Sequence, residues 1–316
     1  MEVLKVMQSG FLTTVQDRGR HGYQEYGVPV SGAMDMYALA AANLLVGNDE
    51  GAACLEMTVL GPRLEVLHDT VVAITGADLS PMLNSRPLSV WEAIEVRCGD
   101  TISFGHPRSG CRSYLAVAGG IDVPVVMGSR STYLWSRLGG FEGRALLPGD
   151  RLNSGEARVN MQSWKVPSQF VPDYSGDTEL RVVLGPQDDR FTDQGIETFL
   201  GSEYVVSVQS DRMGCRLEGP AVEHRAGADI VSDGVPSGAV QVPGDGLPII
   251  LMADRQTTGG YTKIATVISI DLSRIAQAEV GQRVRFSKVT DHQAYQLFME
   301  YQRTMDALRQ CLRRGP

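Results

Sequence analysis

The sequence predicts a mainly β protein of two lobes, each a β-barrel, with a few short helices and a longer one near the C-terminus. Three observations carry this. The chain has 316 residues, more than one typical core organises, so two domains are expected. Its 35 glycines and 43% hydrophobic content suit short strands joined by tight turns better than long helices. A turn followed by an alternating strand recurs in both halves, as Gly99-Asp100-Thr101-Ile102-Ser103-Phe104, Gly149-Asp150-Arg151-Leu152 and Gly281-Gln282-Arg283-Val284-Arg285-Phe286. The expected boundaries are 1–155 for the first lobe, 156–178 for a linker without clear periodicity, and 179–316 for the second lobe with its C-terminal helix.

The elements follow in order. Residues 2–16 alternate as two strands about Gln8-Ser9-Gly10. Met36 to Val46, rich in Ala and Leu, reads as a helix that Gly47 ends. Ser31 is a good N-cap before it, and Asp35 in its first turn would complement the dipole. Strand follows strand from Cys54 to Phe104. Glu56 sits inside one of them; an outward-facing carboxylate is the favoured reading and a paired acid the other. Arg112 to Ala118 is a further strand. Leu180–Leu184 and Tyr204–Val208 are strands of the second lobe, with a short helix around Asp193 to Leu200 between them. Asp271 can cap a helix from Leu272 to Ala278. From Asp291 to Arg314, Ala294, Leu297, Phe298, Tyr301, Met305, Leu308 and Leu312 form one stripe at helical spacing, expected to pack on the second lobe.

Composition narrows the function classes. The formal net charge of −8 argues against nucleic-acid binding, which usually needs a basic surplus. The five cysteines are odd in number, contain no CxxC and match no zinc spacing, so they read as reduced thiols of a cytoplasmic protein. The opening MEVLKVMQSG is no signal peptide, and no apolar run approaches the roughly 20 residues of a membrane span. The five histidines lack ligand spacing, so no metal site is expected. There is no GxxxxGK[ST], GxGxxG, HExxH or GxSxG, and no Met-Lys-Met site for biotin attachment.

Chemistry concentrates in Ser232 to Val267. A turn-rich segment, Asp233 to Gly238, leads into the strand Ala239-Val240-Gln241-Val242. The apolar run Pro248 to Met252 then ends in Asp254, Arg255, Gln256, Thr257 and Thr258. Charge, amide and hydroxyls thus follow directly on a run too apolar to be exposed. Gly259 and Gly260 let the backbone turn sharply or approach a ligand. A polar hairpin loop would explain the same residues. In the first lobe, Arg130 beside Ser129, Ser131 and Thr132 is a cluster of donors suited to a carboxylate, carbamate or phosphate. An arginine satisfying loop carbonyls is the equal alternative.

Four blocks of sequence carry a resemblance. They are Thr14 to Gly22 with GVPVSGAMD at 27–35; AVAGGIDVP, GSRSTY, GGFEGR and LPGD between Ala116 and Asp150; Gly185-Pro186-Gln187 with Ser210 to Pro220; and Ser232 to Val267. Together the chain resembles the biotin-dependent carboxyltransferase-like family. That family includes allophanate hydrolase subunit 2, the C subunit of 5-oxoprolinase, KipA and the carboxyltransferase part of urea amidolyase. The chain departs from the commonest pattern at Thr262, where the family more often has Pro.

The resemblance implies two cyclophilin-like barrels with a cleft lined by the motif loops. It implies work beside the two other 5-oxoprolinase subunits, the B subunit (similar to allophanate hydrolase subunit 1) and the A subunit. Together they would open 5-oxoproline to L-glutamate, with ATP used by the complex. It implies, as alternatives, half of a biotin-dependent carboxyltransferase acting on urea or a related amide, with biotin carried on a partner, or a KipA-like regulator binding a kinase-inhibitor partner. Arg18, Ser31 and Asp35 would border the cleft. On chemical grounds Arg130 and Lys263 are expected to hold an anion, and Asp233 and Asp254 to act as acid, base or orienting groups. Ser131 and Thr132 belong with Arg130. Gln241, Gln256, Thr257 and Thr258 would hydrogen-bond an amide, Gly259 and Gly260 would admit it, and Tyr261 would cover the ring.

Overall fold

A computed structural model describes residues 1–157 and 164–314. Residues 158–163 of the expected linker lie outside the described residues. The fold is mainly β, as the sequence predicts. It divides into two compact units: Met1–His21 with Ser31–Tyr174 and the chain from Thr304 onward, and Gly22–Val30 with Ser175–Arg303.

The first unit holds β1 (Glu2–Gln8), β2 (Leu12–Gln16), helix α1 (Met36–Leu45), β3 (Cys54–Thr58), β4 (Arg63–Val66), β5 (Thr70–Asp78), β6 (Met82–Leu83), β7 (Arg86–Pro87), β8 (Ala93–Val96), β9 (Thr101–Ser103), β10 (Ser109–Val117), β11 (Ile121–Asp122) and β12 (Arg151–Ser154). Here a barrel is expected, and the hydrogen bonding instead gives two sheets, ordered β11-β12-β1-β4-β9-β6-β7 and β2-β3-β10-β5-β8. The reason is local. Successive strands β1 and β2 enter different sheets through the bend at Ser9-Gly10, where a Cβ on Gly10 would meet Leu60 O at 2.2 Å. Only glycine allows so close a crossing. The core lies between the sheets, with Leu4, Leu64 and Ile102 from one and Leu55, Ile74 and Leu115 from the other. Each such side chain contributes about 1.5–3 kcal/mol through burial. Helix α1 is buried almost all round, which its Ala-rich sequence permits, and Thr75 Oγ1 donates to Ala38 O at 2.7 Å. Its N-cap is Asp35, whose Oδ1 accepts from Ala38 N, rather than Ser31.

Glu56 faces inward, against the favoured expectation. It is 1% exposed and its Oε2 accepts from Met34 N at 2.8 Å and Tyr114 Oη at 2.7 Å. Hydrogen-bond donors make a buried carboxylate tolerable, and these come from distant sequence.

The second unit holds β13 (Thr178–Leu184), α2 (Asp193–Gly201), β14 (Tyr204–Val206), β15 (Gly214–Glu218), β16 (Asp229–Gly234), β17 (Ala239–Gln241), β18 (Ile249–Leu251), β19 (Thr258–Tyr261), β20 (Lys263–Val267), α3 (Leu272–Gln277) and β21 (Arg283–Lys288). Seven strands close into a barrel, β13-β20-β17-β18-β15-β14-β21. The seam is parallel, with Thr178 opposite Val284 and Val182 opposite Lys288. Closure leaves no free edge. Strands β16 and β19 stand apart from the barrel as a two-stranded ribbon, with a register shift between Asp229 and Asp233. Gly259 and Gly260, expected at a turn, therefore lie in a strand. Asp271, expected as a helix cap, makes no capping bond; its carboxylate accepts from Arg181 N, Nε and Nη2.

The last helix, α4 (Asp291–Arg314), matches the predicted span. Its stripe does not pack as expected. From Thr304 onward the helix groups with the first unit, where Met305, Leu308 and Leu312 are buried and Arg309 pairs with Glu50, Nη2 to Oε2 2.9 Å. Periodicity identifies a buried face but not what covers it. No helix among the described residues is long and apolar enough to cross a membrane.

Candidate active site

The site is built at one end of the second-unit barrel. Lys263 opens β20, and its side chain is completely buried. An ammonium removed from water needs an anion. The ribbon supplies it: Lys263 Nζ lies 3.0 Å from Asp233 Oδ2 on β16. The Lys263 ammonium, with the Gly234 N–H, holds the Asp233 carboxyl below the usual carboxylate range. Asp233 stays open to solvent on its other side, its side chain 55% exposed.

Gln187 clasps this pair. Its Oε1 accepts from Lys263 N at 3.1 Å, its own N–H donates to Lys263 O at 3.1 Å, and its Nε2 reaches Asp233 Oδ2 at 3.4 Å. Gln241 sits opposite Lys263 in the β17–β20 register. Its Oε1 accepts from Gln256 Nε2 at 3.2 Å, but its Nε2 is buried with no partner among the described residues. That orphan N–H group borders Gly259: a Cβ there would stand 2.6 Å from Gln241 Nε2. A buried amide without an acceptor costs about 1–3 kcal/mol.

An open cleft of about 720 Å³ adjoins this cluster, lined by Pro186, Gln187, Asp189, Arg190, Asp229, Ile230, Val231 and Asp233. The volume is that of a small-molecule site. Of the cluster, Asp233 and Gln187 line the cleft, while Lys263 and Gln241 lie buried behind them.

The other predicted residues are distributed as follows. Asp254 is 2% exposed and forms a two-pronged pair with Arg212, Nε–Oδ2 2.9 Å and Nη2–Oδ1 3.1 Å. Both its oxygens are engaged there, a framework role. The neighbouring Arg255 is buried too and donates to Val235 O and Met252 O, and burial pushes its pKa down. Thr257 lends its carbonyl to Val235 N. Thr258, Gly259, Gly260 and Tyr261 form β19, with Tyr261 43% exposed opposite Asp229. Thr262 N donates to Ala228 O at 2.9 Å, a bond that the family's commoner Pro would forgo.

In the first unit the predicted donors are used internally. Asp17 organises them: Oδ1 accepts from Ser129 Oγ at 2.7 Å and Ser131 Oγ at 2.5 Å, and Oδ2 from Arg130 N at 2.6 Å. Arg130 donates to Val123 O and pairs with Asp122 at 3.2 Å. Thr132 Oγ1 donates to Val15 O, and Arg18 pairs with Glu50 at 3.1 Å. Asp35 Oδ2 accepts from Tyr174 Oη. Ser31 has φ +55°, and its buried hydroxyl has no hydrogen-bond partner among the described residues. Of the predicted set, the structure thus brings together Asp233, Lys263, Gln241, Gln256 and Gly259.

Sequence reasoning missed Gln187 and Arg190. The Gly185-Pro186-Gln187 block contained the signal, since both residues belong to the loop it opens. Burial pushes the Cys54 thiol up, which keeps it protonated and unreactive.

Comparison with known proteins agrees with this architecture. The chain is 40% identical to the 5-oxoprolinase C subunit of Escherichia coli K12 over 306 residues, 97% of each. It is 34% identical to urea amidolyase of Lachancea kluyveri, covering 98% of this chain but 18% of that protein. The crystal structure of the Kluyveromyces lactis urea amidolyase superposes with a TM-score of 0.91 at 33% identity, over 97% of this chain and 20% of that one. Residues 26–288 match the family described as carboxyltransferase domain, subdomain A and B, and the chain belongs to that family.

Proposed function

We propose that this chain is the C subunit of an ATP-dependent 5-oxoprolinase, working with the A and B subunits to hydrolyse 5-oxoproline to L-glutamate. The observation that carries the reading is the Asp233–Lys263 pair at the cleft, with the buried, unpartnered Gln241 Nε2 on the strand residue opposite Lys263; on this reading Lys263 and Gln241 would both donate to a lactam carbonyl oxygen. Two donors at one carbonyl oxygen stabilise the charge that develops when water adds to the carbon. Asp233, ionised and reached by solvent, is positioned to accept the water's proton. The C–N bond then breaks, the nitrogen takes a proton, and the ring opens to an amine and a second carboxylate. ATP would be handled by the partners, since this chain has no phosphate loop of the GxxxxGK[ST] type. The 40% identity over 97% of a 5-oxoprolinase C subunit supports this choice within the family.

The test is ATP-dependent glutamate release by the assembly purified through a tag on this chain. Wild type is expected to turn over. Lys263→Met, which removes the charge while keeping an apolar stem, is expected to lose at least about 100-fold in kcat with the assembly intact. Full turnover by that variant would remove Lys263 from the chemistry.

A second reading draws support from the family itself: carboxyl transfer to urea or a related amide. Biotin would arrive on another chain, and its ureido oxygen would meet the same two donors. A biotinylated partner in the purified assembly, detected with avidin, would favour this reading. A kinase-inhibitor partner with no 5-oxoproline-dependent ATP hydrolysis would favour a regulator.

A further inference from the structure

Among the described residues, Arg190 is the one basic side chain lining the cleft beside Lys263. Its Nε is buried without a hydrogen-bond partner, and none of the described carboxylates is in ion-pair contact with its guanidinium. This is unusual company for an unpaired arginine, because Asp189, Asp229 and Asp233 line the same cleft. Loop geometry explains the separation. Arg190 ends the short turn Asp188–Arg190, and its backbone is pinned at both ends, N to Gln187 O at 3.1 Å and O from Arg225 N at 2.8 Å. The backbone pinning fixes where the side chain starts, and the side chain lines the cleft. A desolvated N–H of a charged group left unsatisfied is costly, and a planar guanidinium matches a carboxylate with two parallel bonds.

The remaining lining defines the rest of the ligand. Pro186, Ile230 and Val231 offer apolar surface. The acidic side chains repel a multiply charged anion such as phosphate but accept an N–H. We propose that Arg190 anchors the carboxylate of a small amido acid, a molecule with one carboxylate, a compact apolar body and an amide N–H, and so sets the specificity of the site. The proposal deepens the lactam-hydrolysis reading and rests on it for the amide end. It separates 5-oxoproline from urea, which has no carboxylate.

The experiment compares two ligands on the full chain by calorimetry: L-5-oxoproline, and 2-pyrrolidinone, the same lactam without the carboxylate. Wild type is expected to bind 5-oxoproline at least tenfold more tightly. Arg190→Gln, folded as judged by an unchanged melting temperature, is expected to erase that preference while leaving 2-pyrrolidinone affinity unaltered. Arg190→Lys is expected to recover part of it as a point charge. A preference that survives Arg190→Gln overturns the proposal, as does a wild type that shows none. Failure of the hydrolysis reading looks different: the carboxylate preference persists, but the purified assembly releases no glutamate.

Discussion

Lys263 and Asp233 make an asymmetric pair. The cation is sealed within the barrel end, while the carboxylate belongs to a ribbon that meets solvent. The asymmetry makes the pair sensitive to acid. The Asp233 carboxyl is held below its ordinary range, first by the hydrogen bond from Lys263 and then by the Gly234 N–H. A group with a depressed folded-state pKa stabilises the fold above its unfolded value, about 3.9 for Asp. That contribution fades as pH falls through the lower folded value. Asp233→Asn removes the carboxylate and leaves the ammonium buried without its anion. Wild type should therefore exceed this variant in stability by a constant margin from about pH 5 to pH 8, and the margin should shrink below about pH 4. Urea unfolding at neutral pH and near pH 3 measures both. An equal margin at the two values would show that Asp233 does not carry the charge that Lys263 needs.

At the scale of elements, the ribbon β16–β19 does two things for the site. Strand β16 delivers Asp233, and β19 brings Gly259 against Gln241. Gly259 has no positive φ to require glycine, so what it supplies is space. Gly259→Ala would put a methyl group 2.6 Å from Gln241 Nε2 and 3.2 Å from Val235 Cγ2. The amide is the end of a flexible side chain, so the fold should tolerate the change. On the proposed reading, the methyl group would stand close to where a ligand's carbonyl oxygen meets Gln241. The variant is expected to melt within a few degrees of wild type and to lose at least about tenfold in kcat/KM. Undiminished activity would place the carbonyl elsewhere.

The same elements show what is legible in the sequence. Period-two patterning locates the strands β1, β2 and β20, and helical spacing locates α4, because burial on one face writes itself into local order. Lys263 and Gln241 can be named as polar residues of strands, and Asp233 as one of a turn-rich segment, although it lies in β16. Their grouping depends on barrel closure, which no local pattern encodes. Glu56 and Asp254 escape sequence reasoning for a related reason. What decides whether a carboxylate in or just after an apolar strand is outward, catalytic or part of the framework is its partner, here Tyr114 for Glu56 and Arg212 for Asp254, 58 and 42 positions away. Arg130 with its serines resembles an anion site because Asp17, 112 positions before Ser129, is not visible as their acceptor.

At the scale of the whole molecule, α4 divides its loyalties. Its sequence follows the second unit, but from Thr304 its buried side chains group with the first. Leu308 is fully buried, and Arg309 is held above the usual guanidinium range chiefly by its hydrogen bond to Glu50. The first unit should then depend on residues far beyond its main segment, which ends at Tyr174. The distribution of tryptophan makes this measurable. All three, Trp91, Trp135 and Trp164, lie in the first unit, so indole fluorescence reports on that unit alone. Leu308→Ala leaves a cavity and should cost about 2–5 kcal/mol. The fluorescence transition in urea should move to lower denaturant by that amount. A transition that stays in place while the far-ultraviolet signal shifts would mean that the end of α4 stabilises the second unit instead. The outcome decides which unit a truncation after Arg303 would unfold: if the first-unit transition moves, the barrel with Lys263 and its cleft is the part expected to stay folded.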